Sequence, residues 1–460
     1  MKFSLTSALV MTFVLFLTVL ISPHTGFVFL WWGLVAASCH WLIWRKANVG
    51  RVLLVYACYS LLAIIIYKTQ LWTNPAFYGF SGDGLLNSVG TDDSFFYSLV
   101  AYDLPHDFPR RFAIGVQSHR YADLLSILVA AHRRVFPSLH PLDLIFFNTS
   151  VLAFFPFFVR QIYCALFVAD RGDRWAFVMS AVAPFLLANG VILMRDGLVA
   201  TVFAGGIMAV QQRRWWWLGL FAVATAWLRP QNGVMLLTIV VALGLSDRYL
   251  DEWRQRWRRR DALMRLTIQC FGVLLASLVI VQGVFHVAWW EMLFRGDFLR
   301  NYVGQGAAQD SGTSTFYTLS QLPLLARLPM TLIFYLGSPF FSIGAFRDQG
   351  LWVPRVFLTS IFPLLFPIYA AWFYRGVLRV VRSRHIGALI FLLLFLLNLS
   401  LITQASMQLR HKIPLQSMFY VMVAAGITTP YNQDRSIGWL VAIAVVLLNL
   451  VFNLLQLAGG

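Results

Sequence analysis

Two adjacent carboxylates, Asp92 and Asp93, follow Gly90 and Thr91 and precede Ser94-Phe95-Phe96-Tyr97. Adjacent carboxylates can divide roles: one takes the proton from an attacking hydroxyl, while the other orients that hydroxyl or holds a divalent cation such as Mg²⁺ or Mn²⁺. The same pair also reads as a solvated acidic turn, since loops favour Asp. Arg195-Asp196 opens an apolar run after Met194. Charges beside an apolar stretch are expensive unless paired or wetted, so they suggest a site; the competing reading is an interfacial ion pair or an Asp favouring a helix N-terminus. Arg229-Pro230 stands in a break between two apolar runs, where a guanidinium either grips a phosphate with two parallel donors or snorkels to head groups. Arg410-His411-Lys412, just before Ile413-Pro414, offers three successive basic groups to an anion. His119-Arg120 could join such a site.

The elements that must position these residues are apolar helices. Of 460 residues, 59% are hydrophobic and 12% charged, about half the charge of a soluble domain. Apolar runs at about 4–22, 27–44, 51–67, 142–162, 175–192, 195–210, 215–229, 232–246, 266–288, 354–375, 386–403, 412–428 and 437–456 predict an all-α polytopic membrane protein with about 13 transmembrane helices, within a range of 11–14. Residues 1–460 form one transmembrane domain. The run after Lys2 reads as a first membrane helix and not as a cleaved leader, because no small-residue cleavage site precedes Pro23.

The net charge of +17 is carried mostly by Arg in short connections, which is the positive-inside pattern and disfavours nucleic acid as a partner. Arg45, Lys46 and Arg51, the pair Arg213-Arg214, the basic loop 247–265, and Arg375, Arg379, Arg382 and Arg384 are expected on the cytoplasmic side. Two long outer segments follow. Residues 68–141 carry balanced charge and the acidic pair, with an amphipathic helix at 119–136. Residues 289–353 hold an apolar stretch broken by Pro323, Pro329 and Pro339, read as a re-entrant or interfacial helix. The three bases at 410–412 then lie on the outer side, against the charge rule, unless the local topology is inverted.

Cys39, Cys58, Cys164 and Cys270 sit in or at the ends of apolar runs without metal or disulfide spacing. His24, His40, His106, His132, His140, His286 and His385 show no metal-ligand spacing and are assigned to packing. Trp215-Trp216-Trp217 reads as an interfacial belt. No P-loop, HExxH or GxSxG motif occurs.

The ordered set of motifs resembles the GT-C-fold membrane glycosyltransferases, the superfamily of protein mannosyltransferases and aminoarabinose transferases. The features that carry the resemblance are Asp92-Asp93 with Tyr97, Arg195-Asp196, Arg229-Pro230 and Arg410 to Pro414, over about residues 80–415. The chain departs from the family in having an extra helical hairpin before the acidic loop and no large soluble C-terminal domain. The resemblance implies a GT-C-like fold in the inner (plasma) membrane, a polyprenyl-phosphate sugar donor, and a glycan, lipid or protein acceptor in the cell envelope. It implies transfer with inversion at the outer face. Asp92 or Asp93 would be the base, with a divalent cation in some relatives. Arg229, Arg410 and Lys412 would hold the phosphate, Arg195-Asp196 would orient the donor or the acidic pair, and Tyr97, His119, Arg120 and His411 would line the site. A polymerase or ligase of lipid-linked oligosaccharides needs the same outer phosphate site. A flippase or transporter would instead place charge near the midplane and show internal repeats, which the chain lacks.

Overall fold

The computed structural model describes residues 5–44, 49–73, 120–136, 139–167, 171–193, 195–256, 354–383, 386–405, 409–429 and 433–459, and a few positions between 322 and 332. Every regular element among the described residues is helical. In order these are α1 (Leu5–Ile21), α2 (Pro23–Trp44), α3 (Val49–Thr73), α4 (Arg120–Arg133), α5 (Pro141–Leu152), α6 (Phe155–Leu166), α7 (Gly172–Ala181), α8 (Pro184–Gly190), α9 (Asp196–Gln211), α10 (Trp215–Leu228), α11 (Pro230–Arg256), α12 (Pro354–Ser383), α13 (Ile386–Ala405), a 3₁₀ turn (Leu409–Leu415), α14 (Gln416–Ile427) and α15 (Gln433–Gly459). Among the described residues, four helical stretches are long and apolar enough to cross a membrane: Pro23–Trp44, Val49–Thr69, Pro141–Leu166 and Ile361–Ser383. Shorter apolar helices accompany them. In α15 the side chains of Trp439, Leu440, Ile443, Val446, Leu447, Leu450, Val451 and Leu454 are exposed, a face suited to lipid and not to water. These features point to a membrane protein.

Proline sets the breaks. The expected run 142–162 divides at Ala153-Phe154 because Pro156 has no N–H with which to continue the ladder. The run 175–192 divides before Pro184, which takes the first helical position of α8. Arg229 is extended (φ −155°, ψ 98°) and caps the end of α10. Its carbonyl accepts from the N–H groups of Asn232 and Gly233, so the same residue also starts α11. The first half of the basic connection at 247–265 continues α11 as helix through Arg256. The expected span 266–288 and nearly all of 289–353 lie outside the described residues.

The chain forms two compact units. The first comprises Met1–Phe157, Ala181–Thr201 and Ser342–Ile361. In it α1, α2 and α3 pack pairwise, and α5 packs on α2 and α3. Hydroxyls join these helices: Tyr56 donates to the Phe29 carbonyl at 2.8 Å, and Ser60 pairs with Thr149 at 3.2 Å. Tyr121 of α4 donates to Asn148 Oδ1, whose amide donates in turn to the Ile192 carbonyl at 2.7 Å. The second unit comprises Phe158–Ser180, Val202–Phe341 and Phe362–Gly460. There α10 and α11 form an antiparallel pair and α11 packs on α13. Phe362, Phe366, Tyr369, Phe373, Phe395, Phe419 and Tyr420 form a connected ring cluster. Arg379 donates to Tyr163 Oη, the Ala425 carbonyl and Thr428 Oγ1, and lies 5.0 Å from the Phe167 ring centroid.

Two glycines allow α12 and α14 to meet backbone to backbone. A Cβ on Gly376 would run into the Met422 carbonyl oxygen, and one on Gly426 into the Trp372 carbonyl oxygen. Such small-residue crossings are a main source of helix association in lipid. Gly219 on α10 has open space where a Cβ would sit. Gly219→Ala is therefore expected to leave the thermal midpoint of the detergent-solubilised protein unchanged or raise it, by up to about 1 kcal/mol of stability. Gly426→Ala, the same chemical change, is expected to lower stability by about 1–3 kcal/mol, read by fluorescence-detected size exclusion after heating.

Candidate functional site

Of the residues expected to do chemistry, Asp92, Asp93, Tyr97 and His119 lie outside the described residues. Arg120 opens α4. Arg195 precedes α9 and accepts the Val199 N–H on its carbonyl, so it starts the helix. Asp196 follows in the first turn, 2% exposed, where the positive end of the helix favours a carboxylate. Both belong to the first unit. Arg229, only 4% exposed, sits at the turn between α10 and α11, and Arg410, His411 and Lys412 lie in the 3₁₀ turn. These four belong to the second unit.

Lys412 has the most developed surroundings. Its side chain is buried, 5% exposed, although its two sequence neighbours on the N-terminal side are also basic. The 3₁₀ turn packs on both α13 and α14, which carries Lys412 inward. Its Nζ lies 5.4 Å from the centroid of the Phe362 ring. Around it is a narrow cleft, about 20 Å³, lined by Phe362, Phe395, Leu399, Leu415, Gln416 and Phe419. The walls are almost wholly apolar. Gln416 Oε1 is buried in the same lining and accepts no hydrogen bond. The cleft thus brings a basic side chain and an amide together at one place, with rings and leucines everywhere else. That is the chemistry needed by an amphiphile with an anionic head and a hydrocarbon body.

The spacing of the chain conceals a second cluster. His24 at the start of α2, His132 at the end of α4 and Asp143 in the first turn of α5 meet in the first unit, with their ligating atoms within 4.8 Å of one another. His24 Nε2 and His132 Nε2 are each 3.5 Å from Asp143 Oδ2. Sequence reading assigned these histidines to packing, because no two of the three lie on one helix. The available signal was positional: His24 and Asp143 stand one and two residues after a proline that starts a helix. His140 caps α5. It accepts the Leu142 N–H on Nδ1, so its Nε2 carries the proton toward Tyr67 Oη at 3.3 Å. Burial, together with Lys68 and His24, pushes the His140 imidazole down to about 4, so it stays neutral at ordinary pH.

No protein-family model, curated protein or solved structure matches the chain.

A buried ammonium is a stability cost that function can justify. Lys412→Met keeps the volume and removes the charge. It is expected to leave the thermal midpoint unchanged or raise it, by up to about 2 kcal/mol of stability. A large loss of stability would make Lys412 a structural residue.

Proposed function

We propose that the chain is a membrane glycosyltransferase that moves a sugar, with inversion, from a polyprenyl-phosphate carrier to a cell-envelope glycan, lipid or protein acceptor at the outer face of the inner (plasma) membrane. The observation that carries this reading is Lys412: a buried cation set among rings and leucines, at the chain position where basic residues break the charge rule. The chemistry suits a polyprenyl phosphate, an anionic head on a hydrocarbon tail, once the cleft widens to admit it.

Sidedness supports the same reading. Taking each apolar run of the sequence as one crossing from an inward N-terminus puts Arg195-Asp196, Arg229 and Arg410 to Lys412 on the outer side, and Arg213-Arg214, the basic loop 247–265 and Arg375 to Arg382 inside. In the reaction, Asp92 or Asp93 removes the acceptor hydroxyl proton and the freed oxygen attacks the anomeric carbon. The bond from that carbon to the phosphate oxygen breaks, and the lipid phosphate leaves with the electron pair. Lys412, with Arg229 and Arg410, receives the negative charge that develops on the leaving oxygen. Arg195-Asp196 orients the donor or the acidic pair. A divalent cation at Asp92 or Asp93 would add to the same charge stabilisation.

The test is sugar transfer in proteoliposomes supplied with polyprenyl-phosphate sugars. Asp92→Asn or Asp93→Asn should lower kcat by about 10²–10⁴-fold, the range of a lost general base. Lys412→Met should lower kcat/KM by about 10²-fold or more, the range of a lost charge-stabilising donor. Full activity in both Asp variants and in the double variant would remove the base. Full activity in Lys412→Met would remove the phosphate site.

A further inference from the structure

The cluster of His24, His132 and Asp143 has no part in glycosyl transfer as proposed. We infer that it is a transition-metal site, of the class that takes Zn²⁺, built where α2, α4 and α5 meet. Two ligands at about 2.0–2.1 Å from one tetrahedral ion stand about 3.3 Å apart. Both imidazole-to-carboxylate separations, at 3.5 Å, already lie close to that spacing. The third separation, between the two imidazoles, is at most 4.8 Å, so about an ångström of side-chain motion completes the set. Two imidazoles and one carboxylate suit Zn²⁺ and its first-row neighbours and not Mg²⁺, which prefers oxygen ligands and water.

A second observation points to a cation independently of this spacing. The Asp143 side chain is 1% exposed. Its Oδ1 has no full hydrogen bond, the fully buried Thr25 hydroxyl beside it supplying at most a weak one. A buried carboxylate oxygen so weakly served is costly, and a metal ion would satisfy it.

The surroundings fit the role of outer support. Asp143 Oδ2 accepts the His140 N–H at 2.9 Å, which fixes the carboxylate. His24 Nδ1 shares a short hydrogen bond with Ser22 Oγ. If Nδ1 carries the proton, Ser22 accepts it, and the Nε2 lone pair is left facing Asp143, as ligation requires. The Phe136 ring packs on both imidazoles, with centroids 5.1 Å from His132 and 5.9 Å from His24, and screens the cluster with apolar surface. Three protein ligands leave one position for water or a substrate atom.

The experiment uses the purified full-length protein, stripped with chelator and dialysed against Zn²⁺ or Co²⁺. Metal content is read by mass spectrometry and geometry by the visible spectrum of the Co²⁺ form. One ion per chain with the intense absorption of tetrahedral Co²⁺ is expected. Asp143→Ala, His24→Ala and His132→Ala should each abolish stoichiometric binding, and Ser22→Ala should weaken it by about 10-fold, the scale of a lost outer partner. Wild-type protein that elutes as a folded monodisperse species yet retains no stoichiometric metal would overturn the proposal, and the trio would then be a proton-sharing clamp between helices. Metal retained at full affinity in folded variants would overturn it as well. Neither readout needs a sugar donor, so failure here and failure of the glycosyltransferase reading are separate results.

Discussion

Hydrocarbon supplies no hydrogen bonds, and everything else in this chain follows from that constraint. It restricts the described backbone to helices, which satisfy their own amides. It makes each buried side-chain polar group dependent on a partner, either in its own helix, as Thr225 and Asn398 find on carbonyls four residues back, or in another. Tyr56 meets the Phe29 carbonyl, Asn148 meets both Tyr121 and the Ile192 carbonyl, and Arg379 collects three acceptors and a ring face. Close approach adds to such ties, as at the paired glycines of α12 and α14, helices that Arg379 also joins through the Ala425 carbonyl.

Under the same constraint a buried charge is the exception that asks for a reason. Lys412 in the second unit and the His24–His132–Asp143 cluster in the first are two of several such exceptions, with Asp196, Arg229 and Arg375 among the others. Their surroundings differ in a way that separates their chemistry. Lys412 has rings and leucines around a narrow cleft, surroundings of the kind met by an anion carried on hydrocarbon. The His–Asp cluster has a fixed carboxylate with a weakly served oxygen, a held imidazole and an aromatic cover, which suits a single small cation. Neither arrangement substitutes for the other.

The helices were legible in the sequence because apolar runs in lipid have few alternatives. The ends of α1, α9 and α10 fall within a residue or two of where hydropathy places them. The Arg229 turn was legible too, since a residue before proline leaves the helical region and a proline can start the next helix. The internal breaks at Ala153-Phe154 and before Pro184 were missed, because apolar composition continues across them. The burial of Lys412 was not legible either: three bases in a row read as an outer-side anion site, and nothing in their spacing says which one the rings of α12, α13 and α14 surround. The His–Asp cluster was least visible, since its members come from three separate helices and only packing unites them.

The central claim is that Lys412 holds the phosphate of a lipid carrier, and native mass spectrometry of the purified protein with polyprenyl phosphate and with the matching polyprenol tests it most directly. Retention of the phosphate but not the alcohol, weakened by about 10-fold or more in Lys412→Met, is the predicted result, being the scale of one lost charge-assisted hydrogen bond. Equal retention of phosphate and alcohol, or phosphate binding indifferent to Lys412→Met, would contradict it.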